Sequence, residues 1–341
     1  MKFYPLFATV FFVLVSIATW GQNADGNYMV AFYNVENLFD TLDDKTIKDE
    51  EFTPTGENEW TNERYQNKLA NLAKVISTMN NGKGPDILGL CEIENSRVVK
   101  DLINTPALKK MHYGIVMQDM RDARGIDVAL IYKEDVLPWI SFTTLRVDLP
   151  DSVPVTRDVL MVQTELEEKS MTFLVCHFPS RSEGREKSEY KRIAAAKVVR
   201  HAADSLYAAD KKENIIIMGD FNDEPADSSI KEVIGARDPE VKEKPKSLFN
   251  LMYPLKNKGL GSYKYREEWN MLDQIIVNSD LYVGNNGLQY VKESATIFAE
   301  DWMKQTEPKY LGSPMRTFGG KKYLGGYSDH FPVYIYLSVK K

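Results

Sequence analysis

The sequence predicts a layered α/β fold in which strands outnumber helices. Short apolar runs bounded by Gly, Pro, Asn or Asp recur along the chain, as in buried strands. Two longer segments, residues 64–79 and 185–207, have apolar residues at the spacing of one helical face. Because these helices lie between groups of strands and do not follow each strand in turn, a sandwich of layers is favoured over a repeated βαβ chain.

The predicted elements follow one another along most of the chain. Residues 28–33 alternate as a strand, residues 43–58 form an acidic surface loop, and residues 86–91 are typical of a strand buried on both faces. Residues 333–339 alternate apolar and polar positions as a last strand. Residues 301–326 are polar and rich in Gly, and a loop of this length is often functional. The remaining predicted strands are residues 126–132, 159–166, 171–176, 215–218, 262–266 and 271–277.

The length and composition indicate a globular chain. The protein has 341 residues, of which 43% are hydrophobic and 27% charged, which is enough to bury a substantial core. No fixed-period repeat or low-complexity linker divides it, so one domain over residues 27–341 is the simplest interpretation. Cys91 and Cys176 both lie in apolar runs, where a thiol packs as a small hydrophobe, and the sequence leaves open whether they pair.

The N-terminal residues are typical of an export signal. Lys2 precedes an almost wholly apolar run over residues 6–17, and small residues follow near Gly21. This pattern predicts a signal peptide over residues 1–21 and an exported protein, periplasmic or extracellular, with no stable membrane span. An uncleaved membrane anchor is the alternative interpretation.

The charge balance limits the partners that the surface attracts. Lys and Arg total 43 against 49 Asp and Glu, which gives a formal net charge of -6. An acidic surface repels nucleic acid at long range and argues against tight, non-specific coating of DNA. It does not exclude a nuclease, because a bound cation or a local basic patch reverses the sign at the site.

Acidic and amide side chains follow two of the predicted buried strands. Glu92 comes directly after residues 86–91, and carboxylate oxygens at such a position suit Mg²⁺, Mn²⁺ or Ca²⁺. Asp220 and Asn222 follow residues 215–218, where an acid can activate water and an amide can donate to a phosphate oxygen. The alternatives are a helix cap or surface acid for Glu92 and an Asx-turn for the other pair.

Two histidines also lie at strand ends. His330 follows Asp329 just before the last strand, where the acid can bind a metal and the imidazole a phosphate. His177 follows residues 171–176, and with Arg181 nearby it is interpreted as a phosphate contact. A polar turn and a structural histidine are the respective alternatives.

Asp273 lies inside an apolar strand. A buried acid is costly unless it is paired, and a histidine partner would offset that cost. We expect His330 to be this partner and to be oriented by the carboxylate. The alternative is an acid on the polar face of the strand.

The motifs of several other chemistries are missing from the sequence. There is no phosphate-binding Gly-Lys-Ser/Thr loop, no Rossmann glycine pattern and no His-Glu-x-x-His. There is also no Gly-x-Ser-x-Gly elbow. Two Cys and 4 His do not give the spacing of a structural zinc site. These chemistries are therefore poorly supported.

Taken in order, the singled-out residues resemble the endonuclease/exonuclease/phosphatase superfamily, which includes abasic-site endonucleases, inositol polyphosphate 5-phosphatases and sphingomyelinases. Each piece alone is weak, but the ordered set is specific and covers nearly all of the chain after the signal segment. The matching pieces are Tyr33-Asn34-Val35-Glu36, Leu90-Cys91-Glu92, Cys176-His177-Phe178-Pro179, Gly219-Asp220-Phe221-Asn222, Leu272-Asp273 and Ser328-Asp329-His330. The sequences around the first and the last of these motifs look most like those of secreted bacterial members of the superfamily.

The resemblance implies a four-layer α/β/β/α sandwich of two packed mixed sheets, with the site where the strand ends of both sheets meet. It also implies a divalent cation, Mg²⁺ or else Mn²⁺ or Ca²⁺. Glu92 would be the principal ligand, with Glu36 and Asp329 as further ligands and Asn34 supporting the metal or the phosphate. Asp220 would position or activate water.

The resemblance implies roles for the remaining site residues as well. Asn222 would hold a phosphate oxygen, while His177 and His330, the latter oriented by Asp273, would stabilise developing charge. Arg124 is a further candidate substrate contact.

The sequence departs from the family pattern at two positions. Cys91 stands where many members have Gln, and Gln274 where many have His or Tyr. Neither change removes a core group of the site, but both alter its fine tuning.

The sequence therefore predicts a metal-dependent phosphoester hydrolase in which water attacks without a covalent intermediate. A secreted nuclease acting on DNA or RNA is the first expectation. The alternatives are a lipid or inositol phosphate phosphodiesterase or phosphatase, and a non-catalytic binding protein on the same scaffold.

Overall fold

Two seven-stranded mixed β-sheets form the centre of the fold. The computed structural model describes residues 26–240 and 247–340, so the predicted signal segment, residues 1–21, lies outside the described residues. No helix in the described part of the chain is long and apolar enough to cross a membrane.

The elements of the described residues are numbered in chain order. The strands are β1 (Asn27–Leu38), β2 (Ile87–Ile93), β3 (Tyr113–Met117), β4 (Asp127–Lys133), β5 (Ser141–Leu145), β6 (Val159–Leu166), β7 (Lys169–His177), β8 (Asn214–Asp220), β9 (Ala236–Arg237), β10 (Leu248–Asn250), β11 (Tyr263–Tyr265), β12 (Glu268–Asn270), β13 (Asp273–Asn278), β14 (Leu288–Tyr290), β15 (Thr296–Ile297), β16 (Phe318–Gly319), β17 (Lys322–Tyr323) and β18 (Val333–Val339). The α-helices are α1 (Asn62–Gly82), α2 (Ser96–Ile103), α3 (Arg185–Ala209), α4 (Tyr253–Asn257) and α5 (Ser279–Val283).

Each large sheet combines parallel and antiparallel neighbours. The first sheet runs β14-β18-β1-β2-β4-β3, and β15 also pairs with β18. In it β1 and β2 are parallel, whereas β18 and β4 flank them antiparallel. The second sheet runs β5-β6-β7-β8-β13-β10-β9, with β7 and β8 parallel and β13 antiparallel to β8. The expected pair of mixed sheets is therefore confirmed.

Apolar side chains fill the space between the sheets and under the helices. Phe32 and Leu130 of the first sheet belong to the same buried cluster as Phe173 and Met218 of the second. A second cluster joins α1 and α2 to the outer face of the first sheet, and a third joins α3 to the second sheet. This arrangement gives the four layers α/β/β/α, and each fully buried large side chain contributes about 1.5–3 kcal/mol of hydrophobic free energy.

The long predicted helices are present with slightly different ends. Helix α1 begins after Thr61, whose side chain accepts a hydrogen bond from the Arg64 backbone N–H. It loses helical geometry at Met79, and Asn80 and Asn81 have left-handed φ values of 53° and 55°. Regular helical geometry is therefore interrupted at these residues, and the helix ends at Gly82, where the predicted stop signal begins.

The chain also contains elements that the hydrophobic pattern did not indicate. Helix α2 was not predicted, although Asn95 caps it by accepting from the N–H groups of Arg97 and Val98. The predicted functional loop, residues 301–326, contains the hairpin β16–β17 and two 3₁₀ turns. Cys91 and Cys176 are buried free thiols.

Asp127 provides a pH-dependent stability test. It is 3% exposed, and burial, the largest cause, raises its pKa to about 8. Because an unfolded Asp ionises near pH 4, the folded chain holds an extra proton, and the stability that this gives is lost as pH rises from about 4 to about 8. Asp127→Asn removes this loss and can still accept the bond from the Met120 N–H.

We expect Asp127→Asn to exceed the parent in free energy of unfolding by about 1–3 kcal/mol above pH 8 and to match it near pH 4. Urea unfolding at both pH values measures the difference. An asparagine variant that is less stable than the parent above pH 8 would contradict the assignment.

Candidate active site

Three adjacent strands of the second sheet carry titratable side chains at the same register. His177 ends β7, Asp220 ends β8, and Asp273 begins β13, so it does not lie inside its strand as predicted. In the pairing of β7 with β8, His177 lies opposite Asp220, and in the pairing of β8 with β13, Asp220 lies opposite Asp273. The neighbouring Gly219 is needed for this close pairing, because a Cβ there would come within 2.4 Å of the Cys176 carbonyl oxygen. Sheet geometry thus sets the three side chains in one row.

Two bulges in the first sheet turn acidic side chains toward this row. The register of β1 against β2 shifts between Asn34 and Leu38, and the register of β2 against β4 shifts between Cys91 and Ile93. Glu36 and Glu92 lie within these shifts and have left-handed φ values of 53° and 62°. Such backbone is uncommon for Glu, and bulges of this kind re-aim side chains beside functional sites.

Asn34 joins the two sheets at the centre of the site. Its Nδ2 donates to Asp220 Oδ2 at 3.0 Å and to Glu92 Oε1 at 3.3 Å. The other carboxylate oxygen of Glu92 accepts from the Asn37 backbone N–H at 2.9 Å. His177 Nε2 lies 3.8 Å from Asp220 Oδ2 and 3.9 Å from Glu92 Oε1. Residues nearly 190 positions apart therefore meet around one point, as the sequence predicts.

The expected pairing of His330 with Asp273 is present. His330 Nδ1 and Asp273 Oδ2 are 2.6 Å apart, and the Ser262 hydroxyl donates to the same carboxylate oxygen at 2.5 Å. The Tyr263 ring packs on the imidazole with 4.7 Å between ring centres. These contacts fix the ring so that Nε2 lies 3.9 Å from Asp220 Oδ2. The carboxylate thus orients the imidazole toward the centre of the site.

The two imidazoles have opposite electrostatic surroundings. Burial lowers the pKa of His330, but the attraction of Asp273, Asp329 and Asp220 outweighs it and holds that pKa well above the usual value. For His177, burial is the largest cause of a strongly lowered pKa, and nearby Arg157 adds to it. The site therefore favours a charged imidazole on one side and a neutral imidazole on the other.

Glu36 is held mainly by protein groups. Burial and then Asp329 raise its pKa to about 7, while Lys68 opposes the shift. Its Oε2 accepts from the Thr317 backbone N–H at 2.6 Å and lies 3.7 Å from Lys68 Nζ. The ammonium is 1% exposed and also donates to Thr317 Oγ1 and the Tyr327 carbonyl oxygen. Lys68 therefore connects α1, β1 and the loop before His330.

We expect Lys68→Met to lower the free energy of unfolding by about 3 kcal/mol, because the buried Glu36 carboxylate loses its fully buried cationic partner and keeps the more exposed Arg316. Urea unfolding at neutral pH measures the loss. Lys45→Met is a matched control, since the Lys45 side chain is 81% exposed and should change stability by less than about 0.5 kcal/mol. Equal small losses for both variants would contradict a structural role for the buried ammonium.

Arg316 is a site residue that the sequence reasoning missed. Its Nη2 donates to Asp329 Oδ2 at 2.5 Å, and its Nε lies 3.8 Å from Glu36 Oε1. The other oxygen of Asp329 lies 3.9 Å from His330 Nε2. The only sequence signal was the Gly-rich segment 301–326, which contains many polar residues and singles out none of them.

The other predicted site residues occupy different surroundings. The Asn222 backbone N–H donates to Asp220 Oδ1 at 2.9 Å, so the Asx-turn named as an alternative is present, and its Nδ2 donates to the Phe178 carbonyl oxygen. Arg181 donates to Asp223 and Asp227 and so belongs to a separate ion-pair group. Arg124 is half exposed, 3.9 Å from Asp122. The substrate contacts expected of both arginines stay predictions.

The donor set at the centre suits a hard divalent cation. Glu92 and Asp220 present carboxylate oxygens on either side of the Asn34 amide, and oxygen ligands are those that Mg²⁺, Mn²⁺ and Ca²⁺ prefer. Burial raises the pKa of Asp220, and the nearby Asp273 charge adds to the increase. A bound cation would stabilise the ionised form of this acid. Asp220, Asp273 and His330 also have donor atoms within 4.8 Å of one another. Asp273, however, already accepts two hydrogen bonds on one oxygen.

The whole sequence was compared with models of known protein families and with known proteins. A model of the Endonuclease/Exonuclease/phosphatase family matches residues 29–339. A comparison with curated proteins gave no match.

Several solved structures share the fold. TDP2 from D. rerio, solved with a single-strand DNA product, has a TM-score of 0.56 at 12% identity over 92% of this chain and 100% of its own. An endonuclease/exonuclease/phosphatase family protein from Bacteroides thetaiotaomicron has a TM-score of 0.55 at 16% identity over 91% and 97%. A mannosyl-6-phosphatase from the same organism has a TM-score of 0.54 at 16% identity over 91% and 99%.

These identities are low, so the structural likenesses establish the fold and leave the substrate open. The family model, in contrast, spans almost all of the described chain. The protein therefore belongs to the Endonuclease/Exonuclease/phosphatase family.

Proposed function

We propose that the protein is a divalent-metal-dependent phosphoester hydrolase in which water attacks phosphorus directly. The observation that carries the proposal is the convergence of Glu92, Asp220, His177 and His330 around the Asn34 amide. Two acids, an amide and two imidazoles at one point can position water and stabilise charge on a phosphoryl group. No covalent intermediate is part of the proposal.

The two buried acids are proposed to have different tasks. Asp220 touches the Asn34 amide and faces both imidazoles, so we assign it to orient and deprotonate the attacking water. Asp273 is fully buried behind His330, where it holds the ring so that Nε2 can donate to a phosphoryl oxygen. Asn222 and His177 are assigned to further phosphoryl oxygens.

Glu92, supported by Asn34, is the proposed principal metal ligand. A divalent cation at this position, Mg²⁺ before Mn²⁺ or Ca²⁺, would polarise the phosphate and offset the charge of the leaving group. Glu36 and Asp329 are the proposed further ligands. Lys68 already lies beside Glu36, and Arg316 pairs with Asp329, so a cation bound there would share these acids with protein cations.

A nucleic acid is the proposed substrate, and the protein is accordingly proposed to be a nuclease. A cleft with more cations than acids and with several tyrosines opens beside Asp329, which supports binding of a chain that carries both phosphates and rings. The likeness to a TDP2 bound to a DNA product agrees with this choice. The predicted signal peptide supports an exported nuclease.

Phosphomonoester hydrolysis is the second candidate, because one structural neighbour is a mannosyl-6-phosphatase. The experiment is a substrate panel with Mg²⁺ and with chelator: single-stranded DNA, duplex DNA, RNA, mannose 6-phosphate, inositol phosphates and sphingomyelin. We expect metal-dependent cleavage of nucleic acid. Turnover of only the monoesters would replace the nuclease proposal, and no turnover with any divalent ion would favour a binding protein.

A further inference from the structure

A cleft of about 640 Å³ opens directly beside the candidate active site. Strand β11, the turn that follows it and residues between Gln305 and Leu324 line it, and Asp329 is part of the lining. A second large groove, about 760 Å³ and mainly apolar, is lined by residues of β5, β6 and α3 and includes none of the site acids. Of these two large openings, only the cleft that includes Asp329 therefore adjoins the candidate active site.

The charge in this cleft is opposite in sign to that of the whole chain. Its lining includes three acids and five cations, whereas the protein has a net charge of -6. The cations are Lys264, Arg266, Lys309, Arg316 and Lys322. A local excess of positive charge on an acidic protein indicates an anionic ligand at this place.

Exposed tyrosines alternate with these cations. Tyr265 is 57% exposed and Tyr310 43% exposed, and each has a cation over its ring, at 5.3 Å and 5.2 Å from the ring centre. Tyr263, also in the lining, packs on the His330 imidazole. Rings beside cations suit a ligand that repeats a planar ring and a phosphate.

Arg316 lies where the cleft meets the active site. Asp329 and Glu36 hold one edge of its guanidinium, and the same side chain lines the cleft with 36% of its surface exposed. A guanidinium fixed in this way is preorganised to bind a phosphate with its remaining donors.

We propose that the cleft binds single-stranded nucleic acid on one side of the reacting phosphate, and that Arg316 contacts the next phosphate along the strand. This inference rests on the proposed nuclease function. Unpaired bases would stack on Tyr265 and Tyr310, whereas a duplex keeps its base faces covered. The cleft therefore selects single strands over duplexes.

The test is fluorescence anisotropy with a labelled single-stranded oligonucleotide and with its duplex, both in chelator so that metal-dependent cleavage is blocked. We expect Tyr310→Ala and Lys309→Ala each to weaken single-strand binding by about tenfold. Lys309→Ala should also reduce the slope of log affinity against log salt by about 0.7. Arg316→Ala and Arg316→Lys should both weaken binding, because lysine lacks the forked donor geometry.

Lys321→Ala is the matched control, since this lysine is on the same loop but pairs with Glu57 and is not part of the lining. Equal losses for Lys321→Ala and Lys309→Ala, or duplex binding as tight as single-strand binding, would overturn the proposal. Hydrolysis of bis(p-nitrophenyl) phosphate separates it from the function proposed above. If that small ester is hydrolysed but the oligonucleotide does not bind, the cleft proposal alone fails; if the oligonucleotide binds but no ester is hydrolysed, the hydrolase proposal alone fails.

Discussion

Asp220→Ala is expected to lower the turnover of a phosphodiester by about 10²–10⁴, the usual scale for an acid/base group. Asp220 is 2% exposed and contacts Asn34, and both imidazoles lie within 4 Å of it. Its loss removes the group that orients water and also separates the two halves of the site. Turnover is measured with saturating substrate and Mg²⁺.

Asp204→Ala is the control for this prediction, because Asp204 lies on α3 and pairs only with Arg200 in the contacts described. It should retain the parent rate. Circular dichroism melts show whether the Asp220 variant is folded. A folded Asp220→Ala protein with near-parent turnover would remove Asp220 from the mechanism.

His330→Ala is expected to lower turnover by a similar factor of about 10²–10⁴. Asp273→Asn should retain more activity than His330→Ala, but the pH dependence of its turnover should change. Asp273 contributes to the raised pKa of His330. Without that charge the imidazolium loses its proton at lower pH. If the protonated ring is the active form, the basic limb of the turnover profile therefore moves to lower pH in Asp273→Asn.

Turnover measured from about pH 5 to pH 9 tests this sign. A purely structural role for Asp273 would lower activity equally at every pH and leave the position of the basic limb unchanged. A shift of that limb to higher pH would contradict the pairing as the cause.

The hydrophobic pattern was sufficient for the large elements of the fold. β6 and β18 have the predicted ends, and α3 begins at the predicted residue, because their apolar periodicity is long and regular. Short elements such as β9, β15 and α5 depend on neighbours in space, which local periodicity does not record. Helix α2 is short, and its cap at Asn95 is the feature that sequence reasoning could have used.

Part of the candidate site could be predicted from the sequence, because several of its residues lie at the ends of predicted strands. His177 and Asp220 lie at strand ends that the sequence marks individually. Asp273 was predicted inside its strand but is the first residue of β13, and the pairing with β8 completes the row. The bulges that turn Glu36 and Glu92 were not predictable, since Glu rarely adopts left-handed backbone and only the packed sheets impose it here.

The cationic side chains beside the site acids were the residues hardest to predict from the sequence. Lys68 falls on a helix where a lysine is normally exposed, and its burial depends on Glu36, Thr317 and Tyr327, which are distant in sequence. Arg316 is one of several basic residues in a polar loop. What singles it out is its hydrogen bond to Asp329 together with its place in the lining of the cleft, and neither can be recognised from the sequence.

Binding of Mn²⁺, followed by the electron paramagnetic resonance of the free ion, tests most directly whether these side chains surround one cation. The parent should bind Mn²⁺ in competition with Mg²⁺, and Glu92→Ala should weaken that binding by at least about tenfold. Glu63→Ala, on the exposed face of α1, should bind as the parent does. Hydrolysis by a parent protein that binds no divalent ion, or unchanged Mn²⁺ affinity in Glu92→Ala, would contradict the account.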